Sequence, residues 1–156
     1  MLKALKRLLD PADDRPALRG QERRQLQLAV ATLLHEARRA DYAEGDDESA
    51  CAVEALVDLF ALGREEAREL LAQGRERASQ ERSFYAPLVT IKRDFGQPQR
   101  VRLVEHLWRV SFADGLLNQY EDHYVRKIAH LLYVSNTDSM LARNRAREAA
   151  APARPA

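Results

Sequence analysis

The sequence has 156 residues, which is enough for one compact domain with a sizeable core. Hydrophobic residues make up 46% of it and charged residues 31%, as in a soluble helical protein, and the near balance of 25 Lys and Arg against 24 Asp and Glu gives no case for nucleic-acid binding. The single cysteine excludes an internal disulfide bond, and the lack of a secretory signal or a membrane-spanning apolar run predicts a cytoplasmic protein.

Residues 1–19 are predicted to be a short amphipathic helix followed by a polar linker. In residues 1–9 (MLKALKRLL) the leucines fall on one side and the basic residues on the other. Such a segment suits peripheral attachment to an anionic membrane. Because a helix this short is marginal in isolation, docking of its leucines on the domain's own surface is the favoured interpretation.

From residue 20 to residue 149 the apolar residues recur at helical spacing, and no segment shows the alternation typical of a strand. We therefore predict an all-α domain over 20–149 and a disordered tail over 150–156. Pro98 follows a clear break and suits the first turn of a helix. The predicted helices are 21–40, 47–61, 64 to about 82, 84–95, 98–113, 119–132 and 137–149.

The strongest break lies at Asp114-Gly115, between two apolar helical patterns. Gly115 suits the left-handed turn that closes a helix, and Asn118 with Glu121 forms a capping-box pattern that opens the next one. Asp114 is unusual, because a carboxylate at a helix C-terminus lies beside the negative end of the helix dipole. It therefore needs a compensating partner, such as a basic side chain, loop N–H groups or a cation.

The same arrangement occurs earlier in the chain. Asp41 ends a helical pattern and Glu48 follows seven residues later, as Glu121 follows Asp114. The two pairs are offset by 73 residues, and the best register slips by one residue after the loop. We interpret these segments as two copies of a helix–acidic loop–helix unit, over about 24–62 and 97–134.

Short motifs in both copies resemble the tellurite-resistance TerB family. In the second copy they are Leu103–Trp108, Ala113–Gly115, Glu121, Arg126–Ala129 and Leu131-Leu132. In the first they are Leu33–Ala37, Ala40-Asp41, Leu59–Leu62 and Glu65–Ala67. Their order and spacing extend over roughly residues 20–147, and the N-terminal domain of DjlA-type co-chaperones is a further similarity. The resemblance implies a compact bundle of about seven helices in two pseudo-symmetric halves, with a role in a stress response like tellurite resistance.

Acidic side chains in the two loops are the candidate functional residues. Carboxylate clusters of this kind suit hard cations such as Ca²⁺ or Mg²⁺. An EF-hand is excluded, since Val110 and Phe112 would occupy its first and third ligand positions. The alternative is that these acidic residues only cap helices and face solvent. The candidate cation ligands are Asp41, Asp46, Asp47, Glu48, Asp114 and Glu121.

Other chemically active residue types give weaker signals. The histidines lack metal-ligand spacing, which favours structural roles for them. Cys51 and Trp108 fall on apolar helix faces and are predicted to be core residues. The basic run of Arg143, Arg145 and Arg147 is predicted to be a solvated helix face, with contact to an anionic partner as the alternative.

The sequence therefore favours a non-enzymatic TerB-like domain that binds a divalent cation, a partner protein or both through its paired acidic loops. No phosphate-binding loop or nucleophile–base pattern points to an enzyme. The alternative is a pure protein-interaction or scaffold module with no metal site. The expected partner is a protein rather than a nucleic acid, and the only expected cofactor is Ca²⁺ or Mg²⁺.

Overall fold

The computed structural model describes residues 20–39, 46–80, 85–113 and 119–150. Within these ranges the chain forms seven helices and no strand, which confirms the all-α prediction, and the helix bounds lie within about two residues of the predicted ones. The predictions for the N-terminal segment, the loop residues between these ranges and the C-terminal tail lie outside the described residues. The helices are α1 (Gly20–Arg39), α2 (Asp46–Phe60), α3 (Arg64–Gln80), α4 (Tyr85–Asp94), α5 (Gln97–Ser111), α6 (Gln119–Leu131) and α7 (Asn136–Ala150).

The core lies between the apolar faces that the sequence pattern marks on each helix. Leu34 of α1, Leu107 and Trp108 of α5 and Ile128 of α6 are all 0% exposed, which confirms the predicted core position of Trp108. Cys51 is half-buried against this core. None of the helices in the described ranges combines the length and apolar character needed to cross a lipid bilayer.

Helix α1 is the element around which the first half packs, and it contacts α2, α3, α4 and α5. Its crossing with α3 is unusually close at Gly74. A Cβ atom on Gly74 would lie 2.7 Å from the carbonyl carbon and from the Cβ of Ala31, and 2.9 Å from the nitrogen of Thr32. The absence of a side chain at Gly74 therefore sets the distance between the two helices. The predicted continuation of this helix through Gly74 is confirmed.

Helix α5 begins as its sequence predicts. The N–H of Gly96 donates a hydrogen bond to Oε1 of Gln99 at 2.8 Å, which satisfies a backbone donor at the start of the helix. Pro98 lies in the first turn, where its missing N–H removes no intrahelical hydrogen bond.

Helices α2 and α6 begin and end at equivalent places. They begin 73 residues apart, at Asp46 and Gln119, and each is followed by a residue in the left-handed conformation, Ala61 with φ 53° and Tyr133 with φ 58°. These two residues are 72 positions apart, which matches the one-residue slip in the sequence register. The residue that reverses the chain after α2 is thus Ala61. Superposition of the two complete halves stays a prediction.

Candidate functional site

The start of α2 and the end of α5 each flank one of the two acidic loops, and contacts between these two helices show their relative direction. Phe60, at the end of α2, stacks on Phe95, just before α5, with ring centroids 5.8 Å apart. Two residues earlier in α2, Asp58 contacts His106 in the middle of α5. The two helices therefore run antiparallel. Because the first acidic loop precedes α2 and the second follows α5, we infer that the start of α2 and the end of α5 lie at one pole of the molecule, called here the acidic pole.

The structure describes the side chain of one of the six candidate cation ligands. Asp41 and Asp114 lie outside the described residues. The three acidic residues at positions 46–48 lie in the first turn of α2, and their side chains are also outside the described part. Among the side chains that are described, no group of three or more His, Cys, Asp or Glu residues is placed to hold a metal ion. The grouping of the six residues around an ion stays a prediction.

Glu121 is the described candidate ligand, and it is a buried carboxylate with 2% of its surface exposed. It lies in the first turn of α6, where the helix dipole favours a negative charge. Burial of a carboxylate is costly unless hydrogen bonds or a positive charge offset the loss of water. One turn later, the Tyr124 hydroxyl donates a hydrogen bond to the Leu33 carbonyl of α1 at 3.1 Å. This buried bond fixes the start of α6 against the helix that leads to the first acidic loop.

The neighbouring carboxylate, Asp122, is engaged by arginines. Nε of Arg126, one turn later in α6, donates a hydrogen bond to Asp122 at 2.7 Å. Nε of Arg143 from α7 lies 3.4 Å from the other oxygen of the same carboxylate. The two adjacent acidic residues of α6 therefore have different environments, with Glu121 buried in the domain and Asp122 in a network of surface charges.

The prediction of a solvated face for the C-terminal arginines is wrong for Arg143. Its guanidinium lies over the rings of Trp108 and Phe112, at 5.5 and 5.7 Å from their centroids. A guanidinium over an aromatic face is attracted by the ring's negative charge distribution. Arg145 is exposed but forms an ion pair with Glu105 of α5. These contacts attach α7 to α5, because α7 presents its arginines to the rings and carboxylate of that helix.

A second polar cluster, which the sequence did not single out, joins α2 to α5. Nε2 of the buried His106 lies 2.7 Å from Oδ2 of Asp58, and Nε of Arg102 lies 3.0 Å from the same oxygen. The sequence assigned His106 a structural role, which agrees with this contact, but Asp58 carried no signal because it lies on the opposite half of the chain. No local sequence pattern marks Asp58 as a partner of His106, because the two residues are 48 positions apart.

The electrostatic environment of this pair lowers both pKa values. Burial lowers the pKa of His106 below 6.5, against the opposing effect of its hydrogen bond to Asp58. Burial acts to raise the pKa of Asp58, but the hydrogen bond from His106 and the nearby charges of Arg102 and Arg109 lower it below its usual range. His106 is therefore neutral at neutral pH and donates its Nε2 proton to the Asp58 carboxylate.

We expect the melting temperature to fall as the pH is lowered from about 7 to about 5, in part through His106. The unfolded chain binds a proton at this residue near pH 6.5, whereas the folded chain does so only at lower pH, so protonation favours unfolding below that value. Thermal melts across this range should show a shallower pH dependence for His106→Gln. His123→Gln, at an exposed position of α6, is the control for a histidine outside the buried cluster. Equal slopes for wild type and His106→Gln would contradict the assignment.

Comparison with known proteins places this geometry in context. The sequence model of the family described as "Tellurite resistance protein TerB" matches residues 27–144, which is well over half of the chain. A crystal structure of a protein of unknown function from Porphyromonas gingivalis superposes with a TM-score of 0.59 at 15% identity, covering 85% of this chain and 96% of that one. No curated protein matches the sequence. The structural similarity concerns the fold alone, since the identity is low.

Proposed function

Since the chain belongs to the tellurite resistance protein TerB family, we propose that it is a non-enzymatic cytoplasmic domain that binds a divalent cation at its acidic pole. Ca²⁺ or Mg²⁺ would bind between the paired acidic loops, with Glu121 as one ligand, and a partner protein would recognise the same pole. In this proposal the domain serves a stress response related to tellurite resistance.

The buried carboxylate of Glu121 is the observation that carries this proposal. Its 2% exposure is unusual for an acidic side chain, and buried carboxylates are among the groups that coordinate metal ions in proteins. The antiparallel packing of α2 against α5 adds support, because it brings the start of α2 and the end of α5, which flank the two loops in sequence, to one pole. A cation shared between the loops would offset the repulsion among their carboxylates and the unfavourable position of Asp114 at a helix end.

Glu121→Gln tests the proposal. Calorimetric titration of the wild type with Ca²⁺ and with Mg²⁺ should show binding of at least one ion. The variant should bind that ion about tenfold more weakly or worse, because affinity for hard cations depends on the number of charged ligands. Glutamine keeps nearly the same shape, so the metal-free protein should stay folded, which a melting curve without divalent ions checks.

Glu66→Gln is the matched control. Glu66 also lies in the first turn of a helix, α3, but it is exposed, so this variant should bind the ion as the wild type does. Asp114→Asn and Asp41→Asn should weaken binding as Glu121→Gln does if both loops contribute ligands. A wild-type protein that binds neither ion would refute the cation proposal and favour the scaffold alternative, in which the acidic residues are caps and a solvated surface.

A further inference from the structure

A strip of exposed aromatic and apolar side chains lies away from the acidic pole. We define the aromatic strip as Tyr85, Val89, Lys92 and Tyr133. Tyr85, Val89 and Lys92 follow one face of α4 at intervals of four and three residues, and Nζ of Lys92 lies 5.1 Å from the centre of the Tyr133 ring. Tyr85 is 67% exposed, Val89 42% and Tyr133 71%. They are three of the four large hydrophobic residues that are exposed in the described part of the chain.

The backbone presents Tyr133 in a fixed and unfavourable conformation. Its φ of 58° is one that residues with a side chain rarely adopt. The turn is nevertheless held from two sides, because Gln97 Nε2 donates to the Tyr133 carbonyl at 3.1 Å and Arg100 Nη1 donates to the Leu132 carbonyl at 2.9 Å. The ring is therefore displayed by a rigid turn, so little conformational entropy would be lost when a partner covers it.

The one charged side chain of the strip is the half-buried Lys92, which is positive. Within the described residues, no carboxylate lies at ion-pairing distance from Lys92, whose ammonium instead contacts the Tyr133 ring. Arg93 is bound by Asp94 through two hydrogen bonds, at 3.0 and 3.1 Å, and the Asp94 side chain is only 8% exposed. A carboxylate of a partner could therefore approach Lys92 without displacing another carboxylate. It would also meet little repulsion from Asp94, whose charge is covered by Arg93.

We propose that the aromatic strip is a second interaction surface, which binds an acidic segment of a partner protein that carries apolar side chains. The apolar side chains would cover Tyr85, Val89 and Tyr133, and a carboxylate of the segment would pair with Lys92. Tyrosine is one of the residue types that contribute most to binding at protein interfaces. One lysine is too few for stable attachment to an anionic membrane, which needs several cations or an inserted helix.

This surface is separate from the proposed cation site. Tyr133 follows the end of α6, whereas Glu121 lies in its first turn, so the helix holds them about 18 Å apart. The proposal therefore does not depend on cation binding, and either can fail without the other. A protein with both sites would bind one partner or ion at the acidic pole and a different, acidic partner at the strip.

The test uses two short synthetic peptides that share the same leucine and phenylalanine positions and differ only in carrying glutamate or lysine between them. Titrations into the full chain, followed by amide NMR, should show that the glutamate peptide binds at least about tenfold more tightly than the lysine peptide. The shifted amides should be those of α4 and of the turn after α6. Added salt should weaken this binding, because it screens the charge pair at Lys92.

Tyr133→Gly separates binding from stability. Glycine suits the left-handed position, so the melting temperature should stay equal or rise, while binding of the glutamate peptide should be lost. Ala61→Gly makes the equivalent backbone change after α2 and should leave binding intact. Lys92→Glu should reverse the preference, so that the lysine peptide binds more tightly.

Three results would overturn the proposal. The first is equal binding of the two peptides, or binding of neither. The second is reversible self-association of the wild type that Tyr133→Gly abolishes, which would assign the strip to a second copy of this chain. The third is binding to vesicles of phosphatidylserine and phosphatidylcholine that requires Tyr133, which would assign it to a lipid surface.

Discussion

Trp108→Ala is expected to lower the free energy of unfolding by about 3–5 kcal/mol. Trp108 is the largest of the fully buried side chains, and α5 holds it at the centre of the domain. Its ring lies 6.3 Å from the Phe112 ring, and the Arg143 guanidinium covers it from α7. The substitution would therefore leave a cavity and remove the surface on which Arg143 rests. Urea unfolding followed by far-ultraviolet circular dichroism measures the loss without relying on tryptophan fluorescence.

Trp108→Phe is the matched control for this experiment. Among the described residues, the indole N–H of Trp108 has no hydrogen-bond acceptor, so phenylalanine gives up no hydrogen bond there. We expect its loss of stability to be at least about 1 kcal/mol smaller than that of alanine, because most of the volume and the aromatic face for Arg143 remain. Equal losses for the two variants would mean that the ring does not fill the core as described.

Gly74→Ala is expected to destabilise the protein by about 1–3 kcal/mol, although the same change in an ordinary helix stabilises it by about 1 kcal/mol. The added Cβ would lie 2.7 Å from two atoms of Ala31, one of them in the backbone of α1. A backbone cannot move aside as a side chain does, so α1 and α3 would have to separate. The free energy of unfolding from urea titration decides the sign of the effect.

Gly63→Ala is the matched control, at a glycine whose surroundings leave room for a side chain. A Cβ there would find one side-chain oxygen of Glu66 at 4.0 Å and no closer atom. We expect a change within about 0.5 kcal/mol, as for other surface positions without special geometry. A stabilised Gly74→Ala variant, behaving like a glycine on an open helix surface, would show that the two helices do not approach as closely as their backbones indicate.

Much of the fold could be predicted from the sequence because helical periodicity is a local signal. The spacing of apolar residues identified the buried faces that hold Leu34, Leu107 and Ile128. A proline in the first turn of a helix is likewise a local signal, and Pro98 was placed correctly. Ala61 was missed, because alanine has no preference for the left-handed conformation that its surroundings impose.

Contacts between distant residues could not be predicted in the same way. The hydrogen bond of His106 to Asp58 joins residues 48 positions apart, and neither residue has a partner at a spacing that marks a site. Arg143 illustrates a different limit, since a basic run near the end of a chain normally faces water. Its partial burial depends on the rings of Trp108, in α5, and Phe112, just after that helix.

The candidate site was predicted in part, since the sequence named Glu121 but not its burial. Acidic residues near helix ends usually face solvent, whereas Glu121 is buried in the first turn of α6. The neighbouring Asp122 is also acidic, but adjacent helical residues point in different directions, and Asp122 forms an ion pair with Arg126 instead. The tertiary arrangement therefore decides which of the two carboxylates is buried.

The contacts between the two halves of the chain also determine how the protein unfolds. The Tyr124 hydroxyl bonds a carbonyl 91 residues away, and Phe60 stacks on Phe95 across the same division. Neither half can release these groups without exposing the apolar face of the other. The domain should therefore behave as one cooperative unit, in which the most slowly exchanging backbone amides of α1 and of α6 open to solvent together, with the same free energy.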